Sequence, residues 1–198
     1  MLQSHDKASQ ARFGQFRIAV LETQPASLEQ LVSTVAEVGI EVCVKGPLRP
    51  NVVALVSQMG CDAALVGIDA ADATDIRLTP DIDCPLVLCS GDTGPETVIA
   101  AQKFGAMAFL LKPVRREQVV PTLAIAASLF REAQLLRRAL AERKIIERAK
   151  GKLMERQRTT EDAAFHWLRR RAMDTRTRIA DVAREVLATA DEQQAQAG

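Results

Sequence analysis

The sequence predicts an α/β fold with a doubly wound, parallel five-stranded sheet, followed by a helical linker and an all-α module of three helices. In residues 17–127, short apolar runs alternate with helical stretches, which is typical of a parallel sheet covered on both faces. From residue 128 onward the apolar pattern has a helical period only. The charge changes at the same place: residues 131–178 hold 15 Lys and Arg against 7 Asp and Glu, whereas residues 1–130 hold 10 against 14.

The elements of the α/β part follow one another in a regular order. Gly39, Gly60 and Gly105 each stand directly after a helical stretch, where glycine commonly ends a helix. Residues 69–83 are acidic and lack an apolar stripe, so we expect a shortened or irregular helix there. The predicted strands are 17–21, 41–45, 63–68, 85–89 and 108–111, and the predicted helices are 27–38, 52–59, 95–104 and one that starts near 116.

Three helices are predicted in the C-terminal part. The first runs through Gly151, because a lone glycine costs only about 1 kcal/mol in a long helix. Thr159 followed by Asp162 resembles a capping box and predicts the start of the second helix. The third helix has a regular apolar stripe. This stripe consists of Ile179, Val182, Ala183, Val186 and Leu187, and the apolar face of the second helix consists of Ala164, Phe165, Leu168 and Ala172.

A short coiled-coil pattern lies between the two parts, in residues 128–144. Leu129, Ala133, Leu136 and Leu140 follow a spacing of four, three and four residues. This seam predicts a homodimer in which two C-terminal modules lie side by side.

Composition excludes several classes of protein. We find no run of about 20 apolar residues, and residues 1–16 are a polar lead-in, so we expect a cytoplasmic chain without a membrane span. The four cysteines and two histidines lack the spacing of metal ligands, so neither a metal nor another cofactor is expected. No nucleophile–base set or phosphate-binding loop is visible, so we do not expect an enzyme.

Several motifs of the C-terminal module occur together in one order: RKIIERAKGKLM at 143–154, EDAAF at 161–165, LRRRAM at 168–173 and Val182-Ala183. Together they resemble the ANTAR domain, the RNA-binding output module of the AmiR and NasT transcription antitermination regulators. The resemblance places this domain at residues 136–188, before an acidic tail at 189–198. It implies binding to paired stem-loops in leader mRNA.

The resemblance also implies which surface contacts RNA. Small residues allow a nucleic-acid backbone to approach, and Lys or Arg contacts phosphate. Phe165 and Trp167 are either core residues or stacking platforms for loop bases. Successive helical residues point about 100° apart, so the three consecutive arginines cannot all face one way. The implied RNA-binding residues are Ala149, Lys150, Gly151, Lys152, Arg169, Arg170, Arg171, Arg176 and Arg178.

The α/β part resembles the response-regulator receiver domain, a flavodoxin-like fold whose site lies at the carboxyl ends of the strands. Lys112-Pro113 matches the receiver lysine and its proline, Ser90 matches the switch hydroxyl, and Phe109 matches the switch aromatic. The acids depart from the pattern: the first strand ends in Glu22-Thr23 instead of two acids.

The position of the receiver phosphoacceptor is occupied by Gly67, which has no nucleophile. Asp69 is offset by two residues, and Mg²⁺ requires near-ideal geometry. We therefore expect a degenerate, non-phosphorylated receiver that is controlled through a partner, either a ligand-sensing regulatory protein or a sensor kinase.

Two other functions remain open at this stage: a phosphorylation-dependent response regulator that binds DNA, and an interaction adaptor without nucleic-acid binding. The third helix carries Asp181 and Glu185 on its polar side, which makes it a poor reader of the DNA major groove. On charge alone, the basic module is also compatible with a solvated helical surface.

Overall fold

The computed structural model describes residues 16–68 and 82–196. Five strands form one parallel sheet in the order β2-β1-β3-β4-β5. The doubly wound α/β fold predicted from the sequence is therefore confirmed. The strands are β1 Arg17–Glu22, β2 Glu41–Gly46, β3 Ala63–Gly67, β4 Leu86–Ser90 and β5 Ala108–Leu111.

The described residues contain six helices. The first three begin on a proline, whose backbone angle suits the first helical turn. The predicted irregular helix at 69–83 falls almost entirely outside the described residues. The helices are α1 Pro25–Glu37, α2 Pro50–Met59, α3 Pro95–Lys103, α4 Arg116–Gln157, α5 Glu161–Thr175 and α6 Ile179–Gln196.

Both faces of the sheet are covered by core side chains. Along β1, Ala19 and Leu21 belong to the cluster on one face, whereas Ile18 and Val20 belong to the cluster on the other. Because side chains alternate along a strand, this division requires helices on both faces. The central strands β1 and β3 consequently have almost no exposed side chain.

The chain divides into two compact units, Met1–Glu132 and Ala133–Gly198. Helix α4 is 42 residues long and continuous, so the last helix of the α/β part and the first helix of the C-terminal part are one element. It contains a window with a mean hydropathy of 1.3, long and apolar enough to cross a bilayer. Its Val119, Leu123 and Ala126 are buried in the sheet core, which accounts for part of that apolar content.

The second unit packs around a core shared by its three helices. Leu168 and Ala183 lie at its centre, fully buried. The predicted stripe of the third helix is confirmed, since all five of its residues belong to the core or pack against it. The core is completed by Ala149, Leu153, Ala164, Ala172, Val182 and Val186.

Three details of the second unit differ from the sequence-based expectations. The N-cap of α5 is Thr160 and not Thr159. Thr160 has an extended backbone, and its side-chain hydroxyl oxygen accepts a hydrogen bond from the Ala163 N–H. Phe165 is 38% exposed, because the core side of α5 is occupied by smaller residues. Helix α6 also continues to Gln196, through most of the predicted acidic tail.

Candidate functional sites

The sheet brings the predicted receiver-site residues to one edge. Glu22 ends β1 and lies beside Gly67 at the end of β3, and Ser90 ends β4 beside Leu111 of β5. Lys112 follows directly after β5. Carboxyl ends of parallel strands meet at one edge, which explains this assembly. Asp69 lies outside the described residues.

The carboxylate of Glu22 is fully buried and both of its oxygens are engaged. Its Oε2 lies 2.7 Å from Lys112 Nζ. Its Oε1 accepts hydrogen bonds from the backbone N–H of Thr23 at 2.9 Å and of Gln24 at 3.3 Å, and from the Thr23 hydroxyl at 3.3 Å. A buried carboxylate is stable when it is paired and hydrogen-bonded in this way.

Gly67 has no room for a side chain. A Cβ atom placed on it would lie 1.8 Å from Glu22 Oε2 and 2.5 Å from Glu22 Cδ. The Glu22 carboxylate therefore occupies the space into which a residue at position 67 would extend. Sequence reasoning treated the glutamate and the glycine as separate departures, whereas the structure makes them one coupled arrangement.

The described residues at this edge do not fit the magnesium site of a receiver. The Glu22 carboxylate is paired with Lys112, and the Asp92 carboxylate, two residues after β4, accepts hydrogen bonds from Thr97 and Gly94. Within residues 16–68 and 82–196, no group of three His, Cys, Asp or Glu side chains is arranged to hold a metal ion. Magnesium prefers an octahedral set of oxygen ligands, which the described residues of this edge do not supply.

The switch hydroxyl at Ser90 is held in a local network. Ser90 is fully buried, and its Oγ accepts from the Asp92 N–H at 3.2 Å. Asp92 in turn accepts from the Thr97 hydroxyl at 3.2 Å and from the Gly94 N–H at 3.0 Å, which organises the start of α3. Phe109 is 39% exposed.

Three cysteines of the first unit lie in apolar surroundings. Burial raises the pKa of Cys61, Cys84 and Cys89 to about 12 in each case. A raised pKa keeps a thiol protonated and unreactive at neutral pH. These residues therefore behave as small core side chains.

The Ala149-Lys150-Gly151 segment divides into three different environments. Ala149 is fully buried in the three-helix core, so the expectation that it faces RNA is not supported by its position. Gly151 is exposed, and a Cβ atom there would meet nothing within 4 Å. Lys152 is half-buried and pairs with Glu155 at 3.5 Å.

Lys150 forms ion pairs with two carboxylates. Its side chain is only 10% exposed, and its Nζ lies 2.8 Å from Glu147 and 2.6 Å from Glu161. The hydrogen bonds to Glu147 and then Glu161 raise the pKa of Lys150, and the one from Lys150 lowers the pKa of Glu161. Because Glu161 is the first residue of α5, Lys150 joins α5 to α4.

The arginines differ from Lys150. Arg178 pairs with Glu142 at 2.9 Å and with Asp181 at 3.3 Å, and the hydrogen bond to Asp181 raises its pKa. The other four predicted RNA-binding arginines are exposed, and no carboxylate of the described residues lies within ion-pair distance of them. These four, which we call the open arginines, are Arg169, Arg170, Arg171 and Arg176.

Large apolar side chains are exposed on helices α4 and α5. Trp167 is 40% exposed on α5. Of the predicted coiled-coil seam, Leu129 is 44% exposed and both Leu136 and Leu140 are 60% exposed, with Ala133 half-buried between them. All four residues lie on helix α4, and their pairing with a second copy of the chain stays a prediction.

Comparison with known proteins gives a family match for the C-terminal part. The ANTAR domain family matches residues 134–187. The transcriptional regulatory protein PdtaR of two Mycobacterium tuberculosis strains, CDC 1551 / Oshkosh and ATCC 25618 / H37Rv, is 37% identical over 133 residues, which cover 62% of this chain and 63% of each relative. The match thus spans less than two thirds of these relatives.

The fold of the first part has a counterpart among solved structures. The signal receiver domain of a modulated diguanylate cyclase from Desulfovibrio desulfuricans G20 superposes with a TM-score of 0.50 at 17% identity. It covers 60% of this chain and 98% of that domain. At this identity the similarity establishes the fold alone.

Proposed function

We propose that the chain, whose residues 134–187 match the ANTAR domain family and whose first part has the receiver fold, is a transcriptional regulator that binds paired stem-loops in leader mRNA and acts in transcription antitermination. The observation that carries this proposal is the set of open arginines on α5 and directly after it. Guanidinium groups without internal partners are available for phosphate oxygens, and Arg contacts phosphate with two parallel hydrogen bonds.

The backbone of Arg176 supports a role for its side chain. Arg176 has a φ of 53°, in the left-handed region that favours glycine at the end of a helix. A residue with a Cβ costs roughly 1 kcal/mol in this region. An arginine at this position therefore lowers the free energy of unfolding relative to a glycine. Contact of its guanidinium group with a ligand would explain why an arginine is found there.

Gly151 also supports an RNA-binding surface here. At this position a glycine stands where a residue with a side chain would favour the helix. Glycine inside a helix costs roughly 0.5–1 kcal/mol relative to alanine. Nothing in the described part of the chain requires a glycine here, since a Cβ would meet none of its atoms within 4 Å. The close approach of an RNA backbone would explain why residue 151 has no side chain.

Lys150 has a different part in the proposal from the one expected from sequence. Both of its carboxylate partners already neutralise its charge. We assign it to positioning α5 on α4, while the open arginines supply the phosphate contacts. Lys152 and Arg178 belong to the edge of the proposed RNA-binding surface, because both are already paired with carboxylates of the protein.

Dimer formation through the seam of α4 is part of the proposal. Leu129, Leu136 and Leu140 present exposed apolar side chains at coiled-coil spacing on one helix. Such a row is unfavourable in water, and a second copy of the same helix covers it with matching spacing. A parallel pair would give two ANTAR domains for a paired stem-loop target.

Control of the receiver by a partner protein, without phosphorylation, completes the proposal. Among the described residues, the Glu22 carboxylate fills the side-chain space of Gly67 and is paired with Lys112, which disfavours the usual phosphorylation chemistry. A ligand-sensing regulatory protein or a sensor kinase in the cytoplasm would then supply the signal by binding. Incubation with acetyl phosphate and Mg²⁺ should leave the intact mass unchanged, and a modification at Asp69 would contradict this part.

The RNA function is tested by comparing two nucleic acids of one sequence. Leader transcripts containing paired hairpins should bind tightly, and duplex DNA of the same sequence should bind only weakly, with the strong salt dependence of non-specific contacts. Fluorescence anisotropy at several salt concentrations measures both affinities. Equal affinity for the duplex DNA, or no affinity for RNA, would overturn the proposal.

A further inference from the structure

The second unit carries a groove beside the open arginines. Its volume is ≈ 530 Å³, within the range of sites that hold a small organic ligand. Helices α4 and α5 and the start of α6 all contribute to it. Its apolar lining is formed by Ile146, Ala172, Ile179 and Ala180.

Met173 lines this groove, and most of its side chain is left uncovered by the described residues. Its side chain is 70% exposed, which is unusual for a large apolar residue next to a folded core. It lies four residues after Arg169, on the same side of α5, and both residues line the groove. A methionine side chain is flexible and makes favourable contacts with aromatic rings.

Glu142 places a carboxylate in the same groove. Its Oε1 accepts from Arg178 Nη1 at 2.9 Å. Its Oε2 accepts no hydrogen bond from any residue in the described part of the chain. A carboxylate on an RNA-binding surface repels phosphate, so the part of an RNA ligand that suits Glu142 is a hydrogen-bond donor and not a phosphate.

The groups of a nucleobase match this lining. A base has two flat faces that pack against apolar side chains, and unpaired loop bases are the parts of RNA that proteins read in sequence-specific recognition. A carboxylate accepts a hydrogen bond from an exocyclic amino group, as it does from the amino group of cytosine. The pairs with Glu142 and Asp181 hold Arg178 in place, while Arg169 is left without a described partner.

We propose that this groove binds one unpaired loop base that carries an exocyclic amino group. Glu142 accepts from the amino group, Met173 packs on the face of the ring, and Arg169 contacts the adjoining phosphate. The inference rests on the proposed RNA-binding function and goes further by naming the class of base and the residues that select it.

The test uses hairpins that share the same stem and differ in the loop. Each loop consists of a single kind of base. One pair compares cytosine with uracil, and the other compares adenine with unsubstituted purine, so each pair differs in the amino group. Wild-type protein should prefer the amino-bearing loop in at least one pair by about tenfold, the value of one charge-assisted hydrogen bond. Anisotropy titrations at constant salt measure the affinities.

The informative variant is Glu142→Leu, which has no hydrogen-bond acceptor, with Glu155→Leu as its control. Glu155 is an exposed, lysine-paired glutamate on the same helix outside the groove. If Glu142 acted only through its charge, both variants would raise the affinity for every hairpin equally. The inference instead requires that Glu142→Leu reduces the amino preference to within about twofold, while Glu155→Leu retains it.

A second pair of variants tests the ring contact. Met173→Ala should weaken binding of the preferred hairpin by about threefold, in keeping with a sulfur–aromatic contact. Met154→Ala, a partly exposed methionine of α4 outside the groove, should have no effect. Both sites are exposed and Glu142 forms only a surface ion pair, so circular dichroism should show all variants folded.

The outcomes separate this inference from the function on which it rests. Failure of the wild type to bind any hairpin overturns the RNA-binding proposal and this inference together. Binding without a preference in either pair overturns the groove assignment alone. So does a preference that survives Glu142→Leu.

Discussion

Charged residues serve opposite purposes at the sheet edge and on helix α5. At the sheet edge, Glu22 and Lys112 neutralise one another, and the Glu22 carboxylate fills the space next to Gly67. On α5 and directly after it, four arginines stand exposed without a described carboxylate partner. The charges of the first region are thus paired among the described residues, whereas those of the second are not.

Lys150 shows that this distinction does not follow the boundary between the units. It lies in the basic unit, yet it is paired and nearly buried like Lys112. The availability of a cation therefore depends on its neighbours in three dimensions and not on the net charge of its segment. The predictions below test that view, beginning with the largest expected effect.

The first prediction concerns the coupling of Gly67 to Glu22. Gly67→Ala should reduce the free energy of unfolding by about 3 kcal/mol, because the new methyl group displaces a buried, paired carboxylate. In a Glu22→Ala background the same substitution should cost less than about 1 kcal/mol, since the clashing atoms are gone. Urea denaturation of the four proteins measures this coupling.

A matched control for this cycle is Gly91→Ala, at an exposed glycine where a Cβ meets nothing. It should show no coupling to Glu22. An equal cost of Gly67→Ala with and without Glu22 would mean that the two positions are independent.

The second prediction concerns the seam of α4. Replacing Leu136 and Leu140 together by Asn should weaken dimerisation by more than about a hundredfold, because two buried leucines of a coiled coil would be lost. Sedimentation velocity over a concentration series measures the dissociation constant. Leu135→Asn is the control, since Leu135 is equally exposed but lies outside the four-three-four spacing. Loss of dimers in both proteins, or in neither, would place the interface elsewhere.

The fold was predictable because its signals are local. Alternating apolar runs and glycines at helix ends, such as Gly60 after α2, each act over a few residues, and they agree with one another. The same holds for the third helix, whose apolar stripe is the core face that was predicted.

The sites were only partly predictable because their contacts are long-range. Nothing in the sequence near Gly67 reveals that Glu22 fills its side-chain space. Likewise, the motif that contains Lys150 does not reveal a carboxylate at Glu161, on the next helix. A basic residue in a motif can thus be identified from sequence, but its availability for a ligand depends on tertiary pairing.

The third prediction compares an open cation with a paired one. Arg171→Ala should weaken hairpin binding severalfold and reduce the slope of log affinity against log salt by up to about 0.9, as expected for one lost phosphate contact. Lys150→Met should instead lower the thermal midpoint and leave the salt slope of the folded protein unchanged. Arg131→Ala, outside the ANTAR domain, is the control for charge alone. A reduced salt slope in the folded Lys150 variant would show that this lysine contacts RNA after all.

The last prediction separates folding from binding at two arginines of the same conformation. Arg176 follows α5 with a φ of 53°, and Arg158 follows α4 with a φ of 49°. Replacing either one by Gly removes the strain on a Cβ in the left-handed region, so each change should stabilise the protein by up to about 1 kcal/mol. Only Arg176→Gly should also weaken hairpin binding, because Arg176 belongs to the proposed RNA surface and Arg158 does not. Thermal melts and anisotropy titrations of the two variants give both quantities. If the two variants lose equal affinity, general positive charge explains the effect; if neither does, the strain at Arg176 has no connection with RNA.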